Sequence, residues 1–171
     1  MLDDQFNVKI ADFGFAGPIA GRTGNGYLTT VLGTKPYEAP EIIEKKAYSG
    51  EAVDLFATAI VLFICVSGTP PFTCAEKNEF YYKLIHGAKW DLFWKFHVKG
   101  KPGGASFFSE EFKDLMEYMF QYDPNKRLSL SQVKAHPWFN GHVASKAELV
   151  AEFTQRKEIN DEEAAKERAM K

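Results

Sequence analysis

Cysteine is scarce in this sequence. Cys65 and Cys74 are the only two in 171 residues, and their spacing matches no metal-ligand pattern. That scarcity argues against a disulfide framework and for a reducing, intracellular compartment, cytoplasmic or similar. Cys65 lies in an apolar run, where a thiol behaves as a small buried hydrophobe, so it is expected inside. An excess of charge is also lacking. Twenty-one Lys and Arg stand against 23 Asp and Glu, and the formal net charge of −2 supplies no electrostatic pull toward nucleic acid or an anionic membrane. The N-terminus lacks the basic-then-apolar order of a signal peptide. The most apolar stretch, residues 52–66, is shorter than the roughly 20 residues of a membrane span and contains Asp54. A buried helix is expected there. Internal repeats are missing too.

What is present is enough for one core. Hydrophobic residues make up 45% of the chain and aromatics 15%, while a charged fraction of 26% is ordinary for a folded domain. The first residues suggest a β-hairpin: Met1 and Leu2, a polar turn over Asp3, Asp4 and Gln5, then a strand over residues 6–11 with Val8 and Ile10 alternating. Two strands alone are marginal, so this hairpin belongs to something larger. Residues 13–35, rich in Gly, Thr, Asn and Pro, read as a loop long enough to be functional.

Helices are expected after Pro40. A short one covers residues 41–46. A strongly apolar one covers residues 50–67 and stops at Gly68-Thr69-Pro70-Pro71. Residues 75–86 place Phe80, Leu84 and Ile85 on one side. Ser109 caps a helix carrying Phe112, Leu115, Met116, Met119 and Phe120 at i, i+3, i+4 spacing. Ser129 or Ser131 caps another, which Pro137 ends. Residues 145–171 are charged and alanine-rich, with no Gly or Pro, and suit a solvated helix or frayed tail.

Asp12-Phe13-Gly14 follows the expected strand and opens the long loop, which closes on Gly33-Thr34 and Ala39-Pro40-Glu41. Either tripeptide alone is common, and the first could be a plain strand-ending turn. In this order and at this separation they resemble the eukaryotic protein kinases of serine/threonine type, within the calcium/calmodulin-dependent kinase-like group. Tyr48-Ser49-Gly50 with Asp54, Gly68-Thr69-Pro70-Pro71-Phe72, Asp123-Pro124 with Arg127, and His136-Pro137-Trp138-Phe139 follow in the family's order. The resemblance covers residues 1–141 as a partial kinase domain and leaves residues 142–171 as a tail. It implies a mainly α fold, a kinase C-terminal lobe with a small N-terminal β-hairpin.

The resemblance also implies roles. Asp12 is the matched magnesium ligand, and Met1, Phe13 and Gly14 lie on the ATP side, Met1 where relatives carry an apolar residue touching adenine. Phosphoryl transfer needs phosphate charge neutralised, which a carboxylate-held Mg²⁺ does. Thr34 matches a residue that supports the catalytic site. Thr30 falls where many relatives are phosphorylated, with Thr29 and Tyr27 as near alternatives. A phosphate there would add about −1.5 to −2 charge and order the loop through arginines. Glu41 and Arg127 match a structural ion pair. Asp54 matches a carboxylate that receives backbone donors from the catalytic loop; its plain alternative is an aspartate marking a wet stripe.

Other family parts are missing from the sequence. There is no Gly-rich loop, no Val-Ala-Ile-Lys strand, and no catalytic loop with its base Asp and second metal-binding Asn. The chain is therefore expected to be a lobe fragment that starts after the catalytic loop and is inactive alone, with ATP and Mg²⁺ bound only in a complete domain. Its partners would be a protein substrate or the missing N-terminal lobe, and exposed apolar surface would favour self-association. The alternative is a non-catalytic lobe that binds protein partners. Phe56 stands where relatives usually have Trp, and Ala59 where they have Gly; both look like packing adjustments. Residues 88–108 are longer than is typical, and their cluster of Trp90, Phe93, Trp94 and Phe96 is expected to be core more than docking surface. No EF-hand loop and no basic amphipathic calmodulin-binding helix are evident.

Overall fold

The computed structural model describes residues 1–21 and 24–169. Expectations for the loop at residues 22–23 and for the tail at residues 170–171 lie outside the described residues. The helices are α1 (Pro40–Ile43), α2 (Gly50–Ser67), α3 (Tyr82–His86), α4 (Trp90–His97), α5 (Glu110–Met119), α6 (Leu130–Ala135) and α7 (Lys146–Ala169). Short 3₁₀ turns occupy Lys35–Tyr37, Gly104–Ser106 and Pro124–Lys126. The chain divides into two compact units: Met1–Gly14 with Gly141–Lys171, and Phe15–Asn140.

In the larger unit, α2 supplies the core. It begins after Ser49 and ends where Gly68 takes a left-handed conformation (φ 72°), whose amide closes on the Ile64 carbonyl at 2.8 Å. Only a residue without a side-chain penalty sits comfortably there. Phe63, fully buried, lies among Phe93, Trp94, His97, Phe108, Phe112 and Phe120, with ring centres 4.9–6.3 Å away. Phe56, one turn pair earlier, meets Phe72, Tyr82 and Phe120. Offset and edge-on rings of this kind add about 0.5–1.5 kcal/mol per pair beyond burial. Phe56 and Ala59 are both wholly enclosed, in keeping with packing substitutions.

By length and composition α2 could cross a membrane, having 18 residues of mean hydropathy 1.9. Its Val53, Phe56, Ala59, Ile60 and Phe63 instead pack inside this unit. Cys65 departs from expectation, because it lies on the exposed side of α2. The helix is apolar on nearly every face, so its sequence period does not show which side turns inward.

Ser109 caps α5, its Oγ accepting from the Phe112 amide at 3.2 Å. Ser129 rather than Ser131 caps α6, in a reciprocal capping box with Gln132. Two helices are shorter than the spacing suggests. α1 stops at Ile43, and α3 begins only at Tyr82 because the Glu79 carboxylate takes the Tyr81 and Tyr82 amides at 2.8 and 2.6 Å. Residues 88–108 contain α4, whose Phe93 and Trp94 are buried as expected of core aromatics, whereas Phe96 is exposed.

The smaller unit holds the N-terminal hairpin and α7. The hairpin is reduced to one antiparallel bridge between Leu2 and Val8. The expected strand does not start at Phe6, because the turn consumes it. Asp3 Oδ1 accepts from the Gln5 and Asn7 amides at 3.0 and 2.8 Å, and Phe6 takes a positive φ of 60°. Hydrogen bonds led by those from Asn7 lower the Asp3 pKa to about 2. α7 meets this turn directly. Lys146 Nζ donates to the Gln5 carbonyl at 2.6 Å and to Asn7 Oδ1 at 2.7 Å, and Phe153 stacks on Phe6 at 5.5 Å. α7 buries no residue, as its charged composition requires.

Candidate activation segment and its buried anchor

The loop after Gly14 returns to the core at two places. The first is a bridge between Leu28 and Tyr48, whose backbones exchange hydrogen bonds of 2.8 and 2.9 Å. The Tyr48 hydroxyl then donates to the Thr30 carbonyl at 2.6 Å. Partial burial, followed by the nearby Asp54 charge, raises the Tyr48 pKa, so the hydroxyl keeps the proton it donates. Sequence spacing does not single out Tyr48 as a tether, since 18 residues separate it from Thr30. With its carbonyl fastened, Thr30 presents an exposed side chain, as do Thr29 and Tyr27.

The second return is at Thr34. Its backbone is extended and its carbonyl accepts the Tyr37 amide at 2.8 Å, opening the 3₁₀ turn of Lys35–Tyr37. Gly33 before it has a φ of 133°, which other residues adopt with strain. Thr34 itself is exposed, and Lys35 reaches Glu76 at 2.6 Å across the surface. Such an exposed pair contributes little to stability.

The anchor lies one turn further on. Pro40 opens α1, and Glu41 in its first turn is buried. The Arg127 guanidinium donates to both Glu41 oxygens at 2.6 and 2.7 Å. Its remaining donors are used too. Nε reaches the Gln121 carbonyl at 2.8 Å, and the terminal nitrogens reach the Ala52 and Tyr122 carbonyls at 3.2 and 3.4 Å. The guanidinium lies 4.8 Å over the Phe56 ring. Two charges withdrawn from water are tolerable only when satisfied this fully. The pair ties the end of the loop to the turn before α6 and to the start of α2.

Asp54 lies differently from a buried carboxylate in need of donors. It is exposed on α2, and its carboxylate accepts no hydrogen bond among the described residues, although the Thr58 hydroxyl donates to its backbone carbonyl at 2.7 Å. Partial burial nevertheless raises its pKa. The reason is again the side α2 turns inward: Val53 and Leu55 go into the core, leaving Asp54 between them outside.

Asp12, Phe13 and Gly14 belong to the smaller unit. All three are exposed, Phe13 by 69%, and Met1 is exposed by 85%. Asp12 holds a positive φ of 63°, and its Oδ1 accepts from the Gly14 amide at 3.3 Å. This Asp turn holds the carboxylate only loosely, by one long bond to the following backbone. Among the described residues, no three His, Cys, Asp or Glu side chains gather as a metal cluster.

Comparison with known proteins agrees with these features. The protein kinase domain family matches residues 1–139. The chain is 30% identical to CBL-interacting protein kinase 11 of Oryza sativa subsp. japonica over 143 residues, covering 84% of this chain and 26% of that protein. It is likewise 30% identical to the serine/threonine-protein kinase SIK2 of Gallus gallus, covering 91% of this chain and 18% of the relative. A third relative is CBL-interacting serine/threonine-protein kinase 10 of Arabidopsis thaliana, also 30% identical, with 96% of this chain and 31% of the relative covered. The chain thus spans between about a fifth and a third of the length of these relatives. With a helical lobe, a loop running from Asp12-Phe13-Gly14 to Ala39-Pro40-Glu41, and a domain match over most of its length, the chain belongs to the eukaryotic serine/threonine protein kinase family.

Proposed function

We propose that this chain is the helical part of a kinase domain which, when complete, transfers the γ-phosphate of ATP to serine or threonine of protein substrates. By itself the chain carries out no transfer. The observation that carries this reading is the loop from Asp12 to Pro40 ending on the Glu41–Arg127 pair, an anchor that fixes one end of the segment on which a peptide substrate would lie. Asp12 suits one magnesium position: Mg²⁺ takes oxygen ligands and commonly one or two carboxylates, and the Asp12 carboxylate is exposed with a single weak internal bond. When bound, the ion supplies neutralisation of phosphate charge.

In the same reading Met1, Phe13 and Gly14 border the nucleotide, and Thr34 lies beside the peptide site. Thr30 accepts the activating phosphate, with Thr29 as the alternative. Asp54 takes its backbone donors from the catalytic loop of a complete domain, which accounts for a carboxylate without partners on an apolar helix. The partners are the rest of that domain and a protein substrate, in an intracellular setting. The chain itself contains neither a catalytic-loop base nor the nucleotide-binding lysine, and transfer depends on all of these groups being positioned together.

Phosphate incorporation from labelled ATP into a serine/threonine peptide tests the proposal. The chain alone should stay at the blank. A complete domain containing it should transfer phosphate, lose transfer with Asp12→Ala, and lose activation with Thr30→Ala. Transfer by the chain alone, or a complete domain indifferent to Asp12→Ala, would overturn the reading.

A further inference from the structure

On the surface of the larger unit, away from Glu41 and Arg127 in the sequence, two exposed aromatic rings and the half-buried Tyr81 form a ridge. Phe80 and Phe96 meet edge to face at 5.3 Å, Phe80 meets Tyr81 at 5.0 Å, and Tyr81 meets Phe96 at 6.3 Å. Phe80 is 49% exposed and Phe96 42%; Leu92, one turn before Phe96 on α4, is also 42% exposed. The opposite side of α4 is committed to the core through Phe93, Trp94 and His97. Large apolar side chains grouped on a surface mark an interaction site more often than isolated ones do.

The ridge is rigid. Tyr81 packs at 4.7 Å on the ring of buried His97, and His97 is held to the Pro71 carbonyl at 3.0 Å. Rings already locked against one another lose little freedom when a partner covers them. The charge around the ridge that is not already engaged is basic. Lys83 Nζ lies 4.9 Å over the Phe80 ring, while exposed Lys89 and Lys99 bracket the α4 face, a turn before Leu92 and a turn after Phe96. The nearby carboxylates are engaged elsewhere. Glu79 is spent on the Thr73, Tyr81 and Tyr82 amides, and Asp91 faces a separate groove beside Trp94 and Glu117.

We propose that Phe80, Leu92 and Phe96 form a docking surface for a short acidic helix of a protein partner. Leu92 and Phe96, one turn apart on α4 with Phe80 beside Phe96, form an apolar strip that fits two large side chains at i and i+4 on such a helix. The flanking lysines fit glutamates beside those anchors and would speed encounter. A membrane surface fits less well, because only one narrow face of an eight-residue helix is free.

Fluorescence anisotropy of a labelled glutamate-and-alanine helical peptide bearing two leucines one turn apart tests this on the full chain. Saturable, salt-sensitive binding is expected. The L92S/F96S variant and the K83E/K99E variant should each weaken it by roughly tenfold or more, with unchanged thermal melting. Should L92S/F96S fail to fold, F80A carries the same test. Four outcomes would overturn the proposal: no binding to the peptide, binding that survives these variants, equal binding of a peptide with lysine in place of glutamate, and binding only to phosphatidylserine vesicles.

Discussion

Arg127 closes on both oxygens of Glu41 across 86 residues of chain, and each of its donors finds an acceptor within 3.4 Å. Arg127→Ala would leave the Glu41 carboxylate buried without its counter-charge. The expected loss is about 3–5 kcal/mol, read as a lower urea midpoint at constant slope. Replacing both residues by apolar ones, E41L with R127M, should cost less than Arg127→Ala alone, because no uncompensated charge remains.

Tyr82 gives a prediction of opposite sign. Its ring is completely enclosed beside Phe56 and Phe72, and its hydroxyl has no hydrogen-bond partner among the described residues. Burial drives its pKa well above the usual tyrosine range. Tyr82→Phe should stabilise the chain by about 1 kcal/mol, since it removes a desolvated group that gives nothing back. A clear loss of stability on urea denaturation would show that the hydroxyl is bonded after all.

His97 makes stability depend on pH. Burial, outweighing its bond to the Pro71 carbonyl, lowers its pKa from 6.5 to about 4. The folded state therefore resists a proton that the unfolded chain accepts. Stability is full above the unfolded value of 6.5, falls as pH drops toward about 4, and declines no further below it on this account. The loss over that window approaches about 3 kcal/mol. Melting curves at about pH 7 and about pH 5 should show the drop, and His97→Gln, which keeps a donor for Pro71 but does not titrate, should flatten it.

The tail helix supports the N-terminal turn through Phe153 on Phe6 and Lys146 on Gln5 and Asn7. Phe153→Ala removes a ring pair worth about 0.5–1.5 kcal/mol. Hydrogen exchange at the Lys9 amide, which bonds the Met1 carbonyl at 2.9 Å, should quicken by up to roughly tenfold, while amides within α5 stay unchanged. Equal exchange in both proteins would show that the hairpin holds without the tail.

Several features were readable along the chain because their causes are local. The end of α2 follows from Gly68-Thr69-Pro70-Pro71 after it. The start of α5 follows from Ser109, and its buried side from the spacing of Phe112, Leu115, Met116 and Met119. The order of Asp12-Phe13-Gly14 and Ala39-Pro40-Glu41 was enough to point to the family, since a motif is itself a sequence property. Other features depend on which surfaces meet. α2 is apolar nearly all round, so only packing against α5 and the aromatic core decided that Phe56 and Phe63 turn inward while Asp54 and Cys65 face out. Phe93 and Phe96, three residues apart in one aromatic cluster, were separated in the same way, one into the core and one onto the surface. Tyr48 fastens Thr30 only because the fold brings the loop beside the start of α2. Local propensity acts over a few residues, but the side of a helix that is buried is settled by the free energy of removing whole apolar surfaces from water, and that depends on every element packed against it.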